Sequence, residues 1–241
     1  MPAVTPESLF TARLTANPGG PLVTFYDDAS GERAELSAKS LGNWIAKTHF
    51  LLIDELGLGV GGRAYVVLPV HWLAVPILLG CWFAGLEVTT SPTGADVAFG
   101  DPASLERADL DGIGDIYAVS LRSMARSAEP PTGMSDYAGA VRPQPDSWAS
   151  VNAQAGPDDP ALDGLTRSGV ASRAAAVATV LGLGAGGRLL WAGDRLDGPD
   201  WIAAVLAPLS VSGSVVLVRN ANLAGRDRLI AAEHITVTAA G

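Results

Sequence analysis

The chain has 241 residues, of which 48% are hydrophobic, and this composition predicts a folded protein with a sizeable core rather than a disordered one. Its formal net charge of -9 excludes nucleic-acid and anionic-membrane surfaces as expected partners, because polyanion binding needs clustered lysine and arginine, and here they are scattered. The one cysteine, Cys81, leaves no internal disulfide and no thiolate metal cluster, and we interpret it as a small core residue on an apolar helix.

The N-terminal segment predicts a helix, a hairpin and a second helix. Thr5, followed by proline and glutamate, is a typical N-cap, and its helix should end before Asn17. Residues 22–25 and 33–36 read as two strands joined by a turn. A long amphipathic helix then follows and should stop at Gly57. No basic region followed by an apolar one opens the chain, so we expect no secretory signal and a cytoplasmic location.

Residues 56–88 and 181–218 form an internal repeat. In each copy a glycine-rich corner leads into a short apolar strand, an apolar helix, a turn and a β-branched run, which is a βαβ unit. The first copy is apolar enough to suggest a membrane span, but Pro69 and His71 interrupt it where a strand should turn into a helix. We therefore predict a strand followed by a buried helix over residues 72–84, and no membrane partner.

Between the two repeats the chain changes in character. Residues 95–99 and 113–120 predict further buried strands, separated by an acidic segment, 101–111, that could hold a helix. Residues 127–160 are rich in Pro, Gly, Ser, Gln and Asp and predict a connection, within which residues 137–141 could return as a strand.

This organisation predicts three domain-level segments: a first α/β half at 1–126, a Pro/Gly/Ser-rich connection at 127–160, and a second α/β half at 161–241. The second half should contain, besides the repeat, helices at 168–181 and 225–233 and a strand at 235–238.

Both glycine corners match the pattern G-x-G-x-x-G, at Gly57, Gly59 and Gly62, and at Gly182, Gly184 and Gly187. A dinucleotide site needs these glycines after a strand and before a helix, so that the helix N-terminus faces the pyrophosphate. Here the order is helix, glycines, strand. We therefore interpret the glycines as helix C-caps and turn residues at positive φ.

No histidine, acidic pair or aromatic pair forms a recognisable site. The three histidines are far apart in sequence, and the acidic pairs match no known acid-base pattern. Two tryptophans flank a loop and could line a pocket, but core positions explain them better. The residues considered are His49, His71, His234, Asp158, Asp159, Asp194, Asp197, Trp191 and Trp201. The sequence thus indicates no catalytic residue, no metal ligand and no identifiable cofactor-binding residue.

The order of these elements resembles the large N-terminal domain of the adenylate-forming superfamily, which includes acyl-CoA synthetases, nonribosomal-peptide adenylation domains and luciferases. The matching motifs are A-E-L-S at 34–37, G-G-R-A-Y at 61–65, Leu68-Pro69, Ala84-Gly85 with Pro92 behind it, and the segments 181–190 and 213–217. The resemblance implies an α/β fold class with two pseudo-repeated αβ halves and mainly parallel sheets flanked by helices.

The departures from this superfamily concern its nucleotide site. In the family a D-D-x-A segment leads into a phosphate loop like T-S-G-T-T-G-x-P-K-G. Here Asp158-Asp159-Pro160-Ala161 is followed almost directly by residues 165–169, so the loop should be deleted. The sequence also stops near Thr238, before the family's adenine-binding, Mg-binding and C-terminal catalytic motifs. The resemblance therefore implies no cofactor and transfers no catalytic residue.

The leading hypothesis is a non-catalytic relative, a pseudoenzyme that acts as a binding or scaffolding module. An acyl- or nucleotide-ligand-binding protein and residual AMP-binding ligase activity remain alternatives, so enzyme status stays open. We also expect a homo-oligomer or a protein partner, because an apolar patch or open strand edge should lie near residues 215–218 and 235–238. Local shielding by residues 127–160, or by Arg226, Asp227 and Arg228, is the competing explanation.

Overall fold

The computed structural model describes residues 3–240, without the side chains of Met124 and Leu223. The helices are α1 (Pro6–Ala16), α2 (Ala38–Phe50), α3 (Ala74–Phe83), α4 (Pro102–Leu105), α5 (Tyr137–Val141), α6 (Arg167–Leu181), α7 (Gly198–Trp201), α8 (Ala207–Ser210) and α9 (Arg226–Ala232). π-Helical turns, Leu51–Glu55 and Ile202–Leu206, continue α2 and join α7 to α8.

The strands alternate with these helices along the chain. They are β1 (Pro21–Asp27), β2 (Glu32–Ser37), β3 (Arg63–Pro69), β4 (Glu87–Thr89), β5 (Val97–Gly100), β6 (Asp115–Ala118), β7 (Ser135–Asp136), β8 (Pro160–Leu162), β9 (Leu165–Thr166), β10 (Arg188–Ala192), β11 (Arg195–Leu196), β12 (Ser214–Arg219) and β13 (Val237–Ala240).

The chain forms two compact units, each assembled from separate segments. Unit 1 contains the described residues up to 41, residues 69–72, and the described residues from 168 onward. Unit 2 contains residues 42–68 and 73–167. The boundaries predicted at 126/127 and 160/161 rest on composition alone and stay a prediction.

Unit 1 is built on a five-stranded sheet of order β13-β10-β12-β1-β2. The first four strands in that order run parallel, and β2 returns antiparallel to β1 across a hairpin. The N-terminal helix is held at its start by the predicted Thr5 cap, whose hydroxyl and backbone exchange hydrogen bonds with Ser8. Phe25, Leu189 and Leu217 are fully buried, so strands from both ends of the chain share one core.

Unit 2 is built on a sheet with the path β7-β6-β5-β3-β4-β8-β9, parallel except for the last pair. Every residue of α3 is buried, as the apolar sequence predicts. Helices α2 and α3 approach closely at Gly80, where an added Cβ would lie 2.5 Å from the Thr48 Cβ. Within residues 3–240, no helix has the length and apolar character needed to cross a membrane.

The internal repeat is visible in the topology of the two sheets. β3 lies between β5 and β4 in unit 2, and β10 lies between β13 and β12 in unit 1. Each of these central strands follows a helix that ends at a glycine with positive φ, 67° at Gly57 and 70° at Gly182. The predicted α/β fold with two pseudo-repeated, mainly parallel halves and the predicted helix-ending role of these two glycines are therefore confirmed. The positive φ predicted for the other four corner glycines is wrong, because Gly61 and Gly186 have positive φ in these turns instead of Gly59, Gly62, Gly184 and Gly187.

Three local predictions are wrong. Residues 137–141 form α5 rather than a strand, because the Asp136 carboxylate accepts from the Gly139 N–H and caps a helix. The last strand begins at Val237 rather than at residue 235, because the chain first closes α9 through the Ile235 N–H. Residues 215–218 are not an open edge: β12 lies between β10 and β1, and the N-terminal hairpin is what covers it.

Candidate functional site

In unit 2, a tight hairpin stands where the resemblance places a phosphate loop. Strands β8 and β9 pair antiparallel and are joined by only Asp163 and Gly164. Their φ angles are 44° and 80°, and two consecutive positive φ angles are typical of the shortest β-hairpin turns. Aspartate and glycine both accept this backbone conformation, which explains why the sequence can turn here in two residues. The segment after Pro160 is thus a closed hairpin turn, and the deletion of a phosphate loop stays a prediction.

The polar groups around the hairpin turn bind one another. The Asp163 carboxylate accepts hydrogen bonds from the Thr89 hydroxyl, the Thr90 N–H and the Thr90 hydroxyl, each at 3.0 Å. The Gly164 N–H donates to the Glu87 carboxylate at 2.6 Å. Glu87 in turn pairs with Arg63, whose Nε lies 3.1 Å from it. Two carboxylates therefore face the donors that an incoming anion would need.

Arg167, the first residue after the hairpin, is fully buried in unit 2. Its Nη1 and Nη2 donate to the carbonyl oxygens of Trp82 and Leu86, both at 3.1 Å. Its backbone N–H donates to the carbonyl of Asp159 at 3.0 Å. The guanidinium thus binds the carbonyls at and just after the end of α3, where the Trp82 carbonyl also accepts from the Gly85 N–H at 2.9 Å. A phosphate site needs several converging N–H groups and an accessible cation. The residues of this segment do not fit the phosphates of a nucleotide.

Unit 1 contains a cleft of about 380 Å³ at the carboxyl ends of β1, β10 and β12. In parallel α/β sheets, ligands typically bind beyond this end of the strands. Its apolar floor includes Leu190 and Val218 from the strands and Leu229 from α9. Arg226 and Arg228 lie at its margin. The other lining residues are Tyr26, Asp28, Ala192, Ala221, Asn222, Gly225 and Ala232. We define these residues as the β-end cleft.

An ionic network fixes the sheet face beside the β-end cleft. The Glu233 carboxylate, at the end of α9, accepts from the Tyr26 hydroxyl, from Arg33 Nη2 at 3.1 Å and from Arg188 Nη2 at 2.5 Å. Burial acts to raise the pKa of Glu233, but these hydrogen bonds outweigh burial, and its pKa is lowered. Burial and the hydrogen bond to Glu233 raise the pKa of Tyr26. The network therefore ties three strands to the end of α9.

A second ion pair lies at the carboxyl ends of β1 and β12. Arg219 Nη2 and Asn220 Nδ2 donate to the buried Asp27 carboxylate at 2.8 and 2.7 Å. Burial opposes the charged form of Asp27, but these donors hold its pKa well below its usual range. His71 packs edge-on against Phe25 nearby, and burial, aided by Arg219, lowers the pKa of His71 to about 3. This imidazole is therefore neutral at pH 7 and belongs to the interior.

The other residues singled out from the sequence do not converge on one site. His49 is buried in unit 2 and His234 is exposed, while burial raises the pKa of the Cys81 thiol. Trp191 and Trp201 are buried, as the core interpretation predicts. Asp159 accepts from the Gly156 N–H within its own loop, and Asp158, Asp194 and Asp197 do not line the β-end cleft.

Within residues 3–240, no group of three or more His, Cys, Asp or Glu side chains is placed to hold a metal ion. Sequence reasoning missed the β-end cleft, because its lining comes from ordinary residues on four separate segments. Arg226 and Arg228 were noticed only as possible edge shielding, and no motif links them to Tyr26 or Leu190.

Comparisons with known proteins identify one sequence relative and several solved structures with the same fold. No family model matches. A TIGR03089 family protein of Mycobacterium tuberculosis is 37% identical over 241 residues, covering 98% of each chain. Three solved structures share the fold: a Brucella canis acyl-CoA synthetase (17% identity, TM-score 0.77), the anthranilate CoA ligase AuaEII in complex with anthranoyl-AMP (15%, 0.71) and an acetoacetyl-CoA synthetase from Streptomyces lividans (17%, 0.77).

The alignments to these solved structures cover 99%, 94% and 99% of this chain, respectively. They cover 47%, 47% and 42% of the solved chains, so the chain spans less than half the length of each. At these identities the likeness establishes the fold, and the chemistry has to be argued from the site.

Proposed function

The chain belongs to the TIGR03089 protein family and shares the fold of acyl-CoA synthetases, and from this premise we propose that it is a non-catalytic relative of these ligases that acts as a binding or scaffolding module. The observation that carries the proposal is the two-residue turn at Asp163 and Gly164. It replaces, inside the fold, the segment that would hold ATP phosphates in the enzymes that the sequence resembles.

Electrostatics supports the proposal. Triphosphate binding is favoured by positive charge and convergent N–H groups, and a water-poor site strengthens both effects. At this turn the Asp163 and Glu87 carboxylates already occupy the available donors, and Arg167 is committed to backbone carbonyls. An incoming triphosphate would have to displace these contacts and approach two negative charges. We therefore expect no useful affinity for Mg-ATP and no acyl-adenylate formation.

The test is ATP–pyrophosphate exchange with Mg²⁺ and a panel of straight-chain and aromatic carboxylic acids, combined with calorimetric titration of Mg-ATP. We expect exchange at the level of a mock preparation from the same host without the gene, and no heat of binding. An active acyl-CoA synthetase assayed in parallel shows that the assay works. Exchange that needs both ATP and an acid, and exceeds the mock level, would overturn the non-catalytic assignment.

A ligand-binding role is the second candidate, and the β-end cleft in unit 1 favours it over a purely scaffolding role. A homo-oligomeric or protein-bound state and a cytoplasmic location belong to the same proposal. Sedimentation equilibrium over a wide concentration range tests the first, where a strictly monomeric protein without a partner would contradict it. Cell fractionation tests the second. The net charge of -9 supports a partner other than nucleic acid.

A further inference from the structure

We propose that the outer edge of β2 is a dimer interface, at which the β2 strands of two copies of this chain pair antiparallel about a two-fold axis at Ala34. This inference rests on the homo-oligomeric form of the proposed function and names its surface. In the sheet of unit 1, β2 pairs with β1 on one side, and within residues 3–240 no strand pairs with its other side. Such an edge can accept a further strand.

The hydrogen bonds of the N-terminal hairpin show which backbone groups of β2 face β1. The Asp27 carbonyl faces the hairpin partner, because it accepts from the Gly31 N–H at 2.8 Å. Alternate residues of a strand point the same way, so Phe25 also faces β2, where it pairs with Ala34. The even-numbered residues of β2 are therefore the ones that bond to β1.

The odd-numbered residues of β2 consequently point their backbone groups to the free edge. Ala38, directly after the strand, agrees with this alternation, because its N–H donates inward to the Gly20 carbonyl at 3.2 Å. Arg33 and Glu35 thus each offer an N–H and a C=O group to a neighbouring strand. In an antiparallel ladder, outward-pointing residues stand opposite one another and exchange both bonds. Only registers that match odd positions with odd positions are therefore possible.

Charge selects one of these registers. The side chains of Arg33 and Glu35 lie on one face of β2 and are 45% and 35% exposed. When Arg33 stands opposite the second copy's Glu35, the two-fold axis repeats the pair, and charges of alternating sign cover that face. The neighbouring registers place Arg33 opposite Arg33, or Glu35 opposite Glu35, which is destabilising. Charges usually protect an edge strand from pairing, and here they leave one favourable register.

Both side chains keep a bonding group for the second copy. Arg33 uses Nε for the Tyr26 hydroxyl, and Nη2 for Glu35 and Glu233 of its own chain. Glu35 accepts from Arg33 and from the Thr24 hydroxyl through Oε2. Within residues 3–240, Arg33 Nη1 and Glu35 Oε1 form no hydrogen bond, so they are available across the axis. One short strand is a small contact beside the ~1,200–2,000 Å² of stable interfaces, so we expect a dimer that dissociates on dilution.

The first test is sedimentation equilibrium of the full chain at low salt over a wide concentration range. Wild type should dimerise reversibly. Glu35→Lys places like charges opposite each other twice in each dimer and should raise the dissociation constant at least about tenfold, a difference of about 1.4 kcal/mol. Glu106→Lys makes the same change of net charge at an exposed position of unit 2 and should have no effect. Added salt should weaken wild-type association, because the opposed charges are exposed.

Arg33→Glu is the reciprocal variant. Alone, it places glutamates opposite each other and should also weaken self-association. Mixed with Glu35→Lys, it restores opposite signs at every opposed pair, so the mixture should form heterodimers. Circular dichroism spectra and melting temperatures confirm that each variant is folded. Because Arg33 also binds Glu233 of its own chain, Glu35→Lys and the crosslinking below carry the test if Arg33→Glu does not fold.

Ala34→Cys tests the register directly. Opposed residues of a non-hydrogen-bonded antiparallel pair have Cα atoms about 4.5 Å apart, within the ~4.4–6.8 Å that a disulfide spans. Mild oxidation should therefore link two copies through position 34. Wild type, whose one cysteine, Cys81, is buried, should stay unlinked. Ala29→Cys, at the exposed hairpin turn and away from the axis, is the matched control and should stay unlinked as well.

Three outcomes would each overturn the inference: a strictly monomeric wild type, a dimer that survives Glu35→Lys, and an Ala34→Cys protein that does not crosslink. A surviving dimer would keep the homo-oligomeric state but place the contact elsewhere, such as the opposite sheet edge at β13. ATP–pyrophosphate exchange on the same preparations keeps the two proposals apart. Exchange by a protein that dimerises as expected would refute only the non-catalytic assignment, whereas a monomer without exchange would refute only the β2 interface.

Discussion

Substitutions of Asp163 should measure how much this residue of the β8–β9 hairpin contributes to the free energy of unfolding. Asp163 combines two contributions: its carboxylate accepts three hydrogen bonds, and its backbone has a φ of 44°. Three replacements separate them. Asparagine keeps tolerance of positive φ and one acceptor oxygen, glycine keeps only the tolerance, and alanine keeps neither. Destabilisation should therefore increase from the Asn variant to the Gly variant to the Ala variant.

The magnitudes follow from the contacts. A net hydrogen bond contributes ~0.5–1.5 kcal/mol, and the lower end applies because the turn is exposed, so three bonds contribute about 1.5 kcal/mol. Alanine at a left-handed φ adds about 1 kcal/mol. Asp163→Gly should thus cost about 1.5 kcal/mol and Asp163→Ala about 2.5 kcal/mol. Asp163→Asn should cost ~0.5–1 kcal/mol, since it loses the charge-assisted part of the bonds.

The assay is urea unfolding followed by tryptophan fluorescence. Trp82 reports on this region, because its indole Nε1 donates to the Ala161 carbonyl on β8 at 2.7 Å. Amide hydrogen exchange of the peptide covering residues 159–167 should accelerate in the same order as the unfolding data. Asp146→Asn, an exposed acid elsewhere in unit 2, is the control and should have no effect. Equal losses for Gly and Ala would refute the backbone argument, and no loss in any variant would refute the hydrogen-bond argument.

Other substitutions test the interior of the two units. Arg167→Met should destabilise the protein by about 2 kcal/mol, because it removes the guanidinium donor from the Leu86 carbonyl, while the Trp82 carbonyl keeps its hydrogen bond from the Gly85 N–H; an unchanged melting temperature would contradict this. Asp27 has a lowered pKa, so its contribution is present above its unfolded pKa and is lost as pH falls through the folded one. Asp27→Asn should cost about 3 kcal/mol at pH 7, and its difference from wild type in urea midpoint should shrink below about pH 4, whereas a pH-independent difference would exclude this linkage. Gly213→Ala should cost about 3 kcal/mol, because its Cβ would lie 2.2 Å from the Gly187 carbonyl oxygen, whereas Gly184→Ala meets nothing within 4 Å and should be nearly neutral; similar stabilities of the two variants would show that the approach relaxes.

Arg188 illustrates a residue whose neighbours no local pattern identifies. In the sequence it marks only the start of the second repeat's strand. In the fold it binds Glu233, 45 positions later, and Thr24, 164 positions earlier. The network that borders the β-end cleft exists because the N-terminal hairpin joins the sheet of the second repeat, a pairing that depends on long-range packing.

The sequence by itself determined the elements whose cause is local. Side chains within a few positions of one another are enough to predict these elements. They are the Thr5 cap, the glycine corners, the all-apolar α3 and the two βαβ units. The short spacing between Asp159 and Leu165 is also local, and the structure forms it as a hairpin with a two-residue turn.

Only the tertiary structure decided which strands share a sheet, which arginine is buried and which is available, and where a cleft remains. Arg167 and Arg226 are the same residue type, yet one is enclosed by carbonyls and the other lines open space. That difference arises because burial and charge pairing depend on atoms brought together from distant segments, and short-range propensity does not encode those distances.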